Sequence, residues 1–331
     1  MKVPDHIRGS IAPTFTAFNE DGTLDDAGQR HFLDFLEEQG GINAYFIRAG
    51  MGQMYSFSVD DVKQLAANVC THLAGRKPVL VGCNGAWNRD YTKRPDPALF
   101  IQQGIELGKF AKDAGAAGVV HTVPEALAFD GRTKEELFLH YFGTLCAAVD
   151  LPLYIYQPPG SKAEYHLDGP LLAKLAAIDN VCGAKVSSPD GELIFNLAYG
   201  ARDQEFSYIV GCETAFYAGL YAGAKAAIGQ GTILNPHVLN AVQDRYEAGD
   251  REGALAAQAS VNALCYGCGN PVDFLKRYAS EKGYPIKPCF RSMVPNPYGT
   301  DPSPLGDADY TRFKALYEAE LEQYAPAGAG V

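Results

Sequence analysis

With 331 residues, 47% of them hydrophobic and 20% charged, the chain is long enough for a sizeable buried core and has the composition of a globular protein. A formal net charge of −11 argues against nucleic acid or an anionic membrane surface as partner, while leaving room for a small anionic ligand in a locally positive pocket. No apolar run approaches the roughly 18 residues of a membrane span. The first ten residues hold no apolar signal core, and eight scattered cysteines suit reduced thiols, so a cytoplasmic protein is expected.

Strands and helices alternate along the chain. A first strand over 9–18 is followed by a helix over 25–38 that opens on Asp25 and Asp26. A second strand over 43–50 precedes a helix that begins after Ser58, where "SVDD" resembles a capping signal. Further strands are expected at 77–84, 118–123 and 151–157, each trailed by a helix, near 97–115, 133–148 and 169–177. Three more follow at 181–187, 206–212 and 224–231, and a helix near 235–247 closes the series. The strand segments are short apolar runs rather than alternating ones, as in parallel strands buried on both faces. Eight such units in about 240 residues predict a (β/α)8 TIM barrel. A doubly wound open sheet is weaker, because no strand leads at once into GxGxxG or GxxxxGK[ST].

Residues 1–248 are thus assigned to the barrel domain and 249–331 to a C-terminal helical region packed on it. That region reads as helices in "DREGALAAQASVNALCYGCG", "PVDFLKRYASEKG" and "DADYTRFKALYEAELEQY", with a Pro/Gly-rich loop over 293–306 and a loose tail over 325–331. The CxxC of "CYGC", Cys265 to Cys268, has no second pair and no histidine nearby, so helix packing is favoured over zinc or redox chemistry. The seven histidines form neither HxH nor HExxH, so no metal site is expected.

A barrel of this kind places its active site at the C-terminal ends of the strands. Lys185 closes the sixth strand between Ala184 and Val186, and Tyr156 closes the fifth, so their side chains can converge over the mouth. Lysine is seldom buried without a reason. Its amine can form a Schiff base with a ketone, and the iminium then serves as an electron sink for C–C cleavage or loss of water. Only about one unperturbed lysine amine in 2,500 is neutral at pH 7, and desolvation among apolar residues raises that fraction. A neighbouring phenol can move protons. Taken alone, either residue is also compatible with a solvated strand-end charge or a packed core tyrosine. Glu213 is a candidate N-terminal partner for the helix after the seventh strand. Gly50 and Gly52 are candidates for shaping a turn alone.

The chain resembles the dihydrodipicolinate synthase/N-acetylneuraminate lyase family over about residues 8–285. The likeness rests on "RGSIAPTFTAFNEDGTLD", "RAGMGQMYSFS", "LPLYIYQPPG", "VCGAKVSSPDG" and "IVGCETAFYAGLYAGAKAAIGQGTILNP". The resemblance implies that Lys185 forms the Schiff base and that Tyr156 is its proton partner. No cofactor is implied beyond that covalent lysine. The partner implied is a small 2-oxo acid, and the chain is implied to form a homodimer or homotetramer. It also implies that the backbone N–H groups of Gly50 and Met51 hold the substrate carboxylate, as a nest of donors does. Here the family's two loop hydroxyls are replaced by Gly50 and Met51, and its glutamate by Gln53, so the hydroxyl relay is missing. His121 and Glu125 are candidates to replace it. The synthases' interface tyrosine falls near Glu125 and Ala126, and their carboxylate-gripping arginine near Ser161, so both features are lost. "AAIGQG" is closer to the sugar-acid lyases, with Glu213 and Gln230 as candidates for holding a hydroxylated chain. The expected activity is cleavage or dehydration of a hydroxylated 2-keto-3-deoxy sugar acid. The alternatives are a dihydrodipicolinate synthase with an altered relay, or a non-catalytic sensor of a pyruvate-like ligand.

Overall fold

The computed structural model describes residues 3–291 and 304–324. Eight parallel strands close a barrel in sequence order: β1 Gly9–Pro13, β2 Ala44–Ile47, β3 Val79–Gly82, β4 Gly118–Thr122, β5 Leu153–Gln157, β6 Val181–Val186, β7 Ser207–Val210 and β8 Ala226–Ala227. The helices around it are α1 Asp26–Gln39, α2 Val59–Leu73, α3 Pro97–Asp113, α4 Lys134–Ala148, α5 Gly169–Ala176, α6 Gly191–Gly200, α7 Phe216–Tyr221, α8 Gly231–Leu234 and α9 Pro236–Glu247. The TIM-barrel expectation is thereby met, with strands shorter than the apolar runs suggested. The eighth is the extreme case: it keeps two residues of the eight expected, because after Ile228 the chain turns into α8.

Side chains at the helix starts explain where the helices begin. Asp25, Asp96, Asp168, Asp190 and Asn235 each accept a backbone N–H of the first turn that follows. Ser58 with Asp61, and Thr133 with Glu136, form reciprocal capping boxes. Each such cap contributes about 1 kcal/mol. α10 Arg251–Gly267 packs along α9. α11 Pro271–Glu281 and α12 Asp307–Tyr324 then meet through Phe274 and Tyr278 against Tyr310, Phe313 and Tyr317. Gln39 at the end of α1 donates to the buried Tyr317 hydroxyl at 2.6 Å, which ties α12 to the barrel's helical layer. Most of the 293–306 loop and the whole 325–331 tail lie outside the described residues.

Register fixes which residues face the barrel axis, since cross-strand partners share a face. Tyr156 pairs with Lys185, Lys185 with Ile209, Ile209 with Ala226 and Ala226 with Gly9. On the other side Tyr156 pairs with Thr122. Two residues deeper, Tyr154 fills the axis, and Gly118 and Gly183 make room for its ring. A Cβ on either glycine would come within 2.9 or 3.1 Å of that ring.

Candidate active site

Lys185 and Tyr156 are brought together. Both are buried, at 1% and 0% exposure, and the Lys185 amine lies over the Tyr156 ring, 4.1 Å from its centroid. Phe46 of β2 meets that ring edge-on at 6.0 Å. Thr122, which the sequence reading missed, flanks Tyr156 from β4. Its hydroxyl accepts from Asn84 Nδ2 at 2.7 Å, and Asn84 Oδ1 accepts from the Thr122 N–H at 3.0 Å.

Gly50 and Met51 open a tight turn, Gly50–Gly52, directly after β2. The leading N–H groups of such a turn have no carbonyl within it to bond. Gly52 must be glycine, because a Cβ there would meet Thr16 Oγ1 at 2.8 Å and the Thr14 carbonyl at 3.0 Å. Thr16 in turn donates its hydroxyl proton to the Gly52 carbonyl. Arg48 ties Met54, just beyond that turn, to the end of β3. It is 4% exposed, takes up a left-handed φ of +52°, and donates to the carbonyls of Met54, Gly82 and Asn84. Burial pushes its guanidinium down to about 10. A charge directly after the apolar run "AYFI" is the same kind of signal that singled out Lys185.

Gln53 is not brought to the mouth. Its side-chain carbonyl accepts the Arg291 N–H at 3.0 Å, while the Arg291 guanidinium grips Asp61 at 2.7 and 3.1 Å. Burial pushes the Asp61 carboxyl up, but Arg291 and the Ser58 donors outweigh it and hold the group below the usual range.

His121 corrects another expectation. It pairs in register with Ile155, one residue out of step with Tyr156, and so faces the helices. Its ring meets Tyr141 of α4, with Nδ1 3.4 Å from that hydroxyl. Burial, aided by Arg48, pushes it down to about 3, so it is neutral at ordinary pH. Facing away from the mouth, it cannot serve as a relay there. Glu125 is likewise engaged, accepting from the Tyr91 hydroxyl at 2.5 Å, the Lys162 N–H at 2.8 Å and the Ser161 hydroxyl at 3.2 Å.

Glu213 and Gln230 border one cleft of about 380 Å³ with Pro159, Ser187, Gly211, Thr214 and Tyr266. The Glu213 side chain does not cap α7 but accepts the Gly231 N–H at the start of α8, at 2.7 Å. Its Oε1 also accepts from the Cys265 thiol at 3.1 Å. Burial pushes that thiol well up, Glu213 adding to the effect, so Cys265 stays a protonated donor. A Cβ on Gly229 would fall on Glu213 Oε2, which is why "IGQG" carries a glycine there. Gln230 Nε2 donates to the Cys265 carbonyl at 3.0 Å. Cys265 and Cys268 are both buried in the apolar core, as helix packing requires. Among the described residues no group of three or more His, Cys, Asp or Glu side chains could hold a metal ion.

The closed barrel with a buried lysine and tyrosine at its C-terminal mouth defines the class, a (β/α)8-barrel enzyme with a strand-borne amine. The model of the dihydrodipicolinate synthetase family matches residues 6–292, so the chain belongs to that family and is a class I lyase. An uncharacterized DapA-like lyase of Halobacterium salinarum is 27% identical over 259 residues, 78% of each chain. A catalytic-lysine mutant of the sialic acid aldolase of Ruminococcus gnavus superposes with a TM-score of 0.79 at 19% identity, covering 98% of this chain and 100% of that one. A prophage protein of the dihydrodipicolinic acid synthase family from E. coli K12, solved in complex with pyruvate, gives 0.75 at 21% identity, covering 95% and 98%. No described helix is long and apolar enough to cross a membrane.

Proposed function

We propose that the protein cleaves or dehydrates a hydroxylated 2-keto-3-deoxy sugar acid through a Schiff base on Lys185. The observation that carries this reading is the register pair of Lys185 and Tyr156, both buried, with the amine over the phenol ring. In the proposed reaction the amine attacks the C2 ketone and water leaves, giving an iminium. In cleavage, Tyr156 takes the C4 hydroxyl proton, the C3–C4 electron pair moves into the enamine, and an aldehyde departs. Protonation at C3 and hydrolysis return pyruvate and the free lysine. In dehydration a C3 proton and a hydroxyl leave instead. The N–H groups of Gly50 and Met51 hold the C1 carboxylate. Glu213 and Gln230 meet the hydroxyls of the chain in the cleft they border.

Reduction with borohydride in the presence of pyruvate, followed by mass measurement, tests the reaction class. An adduct on Lys185 is expected, and an unmodified lysine overturns the reading. A screen of 2-oxo acids for pyruvate release then identifies the substrate. Turnover of pyruvate with aspartate semialdehyde would replace the sugar-acid reading with that of a synthase. Adduct formation with no turnover of any 2-oxo acid would make the protein a sensor.

A further inference from the structure

After α11 the chain leaves the helical region and runs along α1 to the loops that follow β1 and β2. His31 of α1 donates from Nδ1 to the Pro285 carbonyl at 2.8 Å, and Lys287 donates to Asn19 Oδ1, in the loop after β1, at 2.6 Å. The segment reaches Arg291, whose guanidinium joins the two loops to α2. Its Nε donates to the Gly22 carbonyl of the first loop at 2.6 Å. One terminal nitrogen donates to the Ser56 carbonyl of the second loop at 3.2 Å, and the two terminal nitrogens together hold Asp61 of α2 as a bidentate pair. The group also lies over the rings of Phe18 and Phe57, 5.0 and 5.6 Å from their centroids. The chemistry at Lys185 requires none of these contacts.

They converge on Gln53, the residue that closes the Gly50–Gly52 turn. Its N–H returns to the Gly50 carbonyl at 3.1 Å, and its backbone is left-handed, with φ of +60°. That conformation is strained for a residue with a side chain and persists where the surroundings hold it. Two hydrogen bonds hold it here. The Ser56 hydroxyl donates to the Gln53 carbonyl at 2.9 Å, and Gln53 Oε1 accepts the Arg291 N–H at 3.0 Å. Ser56 is itself held by the guanidinium, so both restraints lead back to Arg291. At its other side the turn is already fixed, because the Thr16 hydroxyl donates to the Gly52 carbonyl.

We propose that Arg291 is a positioning residue for the substrate: by fixing Gln53 it keeps the Gly50–Gly52 turn in the shape that receives the C1 carboxylate, so that the C-terminal region sets the affinity of the site for its 2-oxo acid. The proposal rests on the reading of the Gly50 and Met51 N–H groups as the carboxylate's donors. A turn that is already ordered receives a ligand without the entropy cost of ordering it. Released from Arg291, the turn is ordered only when ligand binds, and affinity falls. The amine is untouched, because Lys185 stands on β6, four strands from β2 around the barrel.

Pyruvate binding by calorimetry and the borohydride-trapped adduct on Lys185 separate affinity from chemistry. Arg291→Ala should weaken pyruvate binding by about 10-fold, and Gln53→Ala by a similar factor, while the adduct at saturating pyruvate forms as fully as in the wild type. Gln53→Glu keeps a side-chain oxygen for the Arg291 N–H and should retain wild-type affinity, which a loss of packing alone would not explain. Arg291→Ala combined with Gln53→Ala should cost well short of the product of the two single losses, because both act on one turn. Gln53→Ala leaves the Arg291–Asp61 pair in place and carries the test should Arg291→Ala not fold. Unchanged affinity in Gln53→Ala, or a combined loss equal to the product, overturns the proposal and leaves the Schiff-base reading standing if the adduct forms. Binding that weakens in both variants with no adduct on Lys185, even in the wild type, supports the role of Arg291 and overturns the Schiff-base reading alone. Absence of pyruvate binding to the wild-type protein overturns both.

Discussion

Two lysines of this chain are buried to the same 1% exposure, Lys185 on β6 and Lys276 on α11. Both amines lie over aromatic faces. Lys185 stands 4.1 Å from the Tyr156 centroid, and Lys276 stands 4.1 Å from that of Phe290 with Phe15 at 5.4 Å. The difference is in what surrounds the contact. Beside Lys185 is a phenol, a titratable group, at the C-terminal end of a barrel strand. Beside Lys276, on a helix and not at a strand end, are two phenyl rings and the Cys289 carbonyl, which accepts its proton at 2.6 Å, with Cys289, Asp273 and Asp25 acting on it only weakly. Burial and an aromatic neighbour therefore do not by themselves set the proposed catalytic amine apart. A proton partner, at the strand ends where loops can admit a ligand, is the added requirement.

The largest expected effect separates the two lysines by chemistry. Lys185→Ala should lose the borohydride-trapped pyruvate adduct and lower turnover by at least about a thousandfold. Lys276→Met should keep both. An adduct mapped to Lys276 by peptide mass measurement would reverse the assignment.

The next effect divides the phenol from its ring. Tyr156→Phe keeps the aromatic face under the amine and removes the proton partner. Turnover should fall by about 10²- to 10⁴-fold while the pyruvate adduct still forms on prolonged incubation. Unchanged turnover would leave Tyr156 with the packing role that Phe290 has beside Lys276.

How much of this could be read from the chain depends on what each residue's environment is made of. Lys185 and Tyr156 were legible because both sit in continuous strand runs whose order sets their depth. His121 was not, because "GVVHTV" is apolar on both faces and gives no sign of which residue turns inward. The register gives that place to Thr122 instead. Gln53 and Glu125 were misread for a different reason. Their partners, Arg291 for the first and Tyr91 with Ser161 for the second, lie far along the chain and meet only in the folded protein. Glu213 was placed correctly at the end of β7, but its hydrogen bond goes to α8 and not to the helix beside it.

His121 is a third buried base, and it extends the comparison to acid. Neutral when folded and pushed down to about 3, it takes up a proton near its ordinary 6.5 once the chain unfolds. The unfolded state therefore binds more protons between those values, and stability should fall as pH drops from 6.5 toward 3. The slope from this group is at most about 1.4 kcal/mol per pH unit. Urea midpoints for His121→Leu between pH 6.5 and 4.5 should be flatter than wild type, with pyruvate trapping at pH 7 intact. Loss of trapping would return His121 to the mouth.

Lys276 gives the mirror-image effect at alkaline pH, over a narrower span. Burial pushes its amine down to about 8 from 10.5, with Cys289, Asp273 and Asp25 opposing weakly. Below pH 8 the folded and unfolded chains both carry the proton, and the folded chain bears the full cost of a buried ammonium. As pH rises above 8 the folded chain sheds that proton while the unfolded chain keeps it to about 10.5, so this group makes stability rise with pH by at most about 1.4 kcal/mol per unit. Lys276→Met is of similar volume and carries no charge to desolvate. Its urea midpoint should lose an upward contribution between pH 7.5 and 9.5 relative to wild type, and so fall more steeply there, because the buried thiols, held up by burial, ionise first in the unfolded chain and pull stability down with pH. A wild-type slope that survives the substitution would show that Lys276 is not the group titrating there. Its burial would then no longer be a measure of what an amine costs without a chemical role.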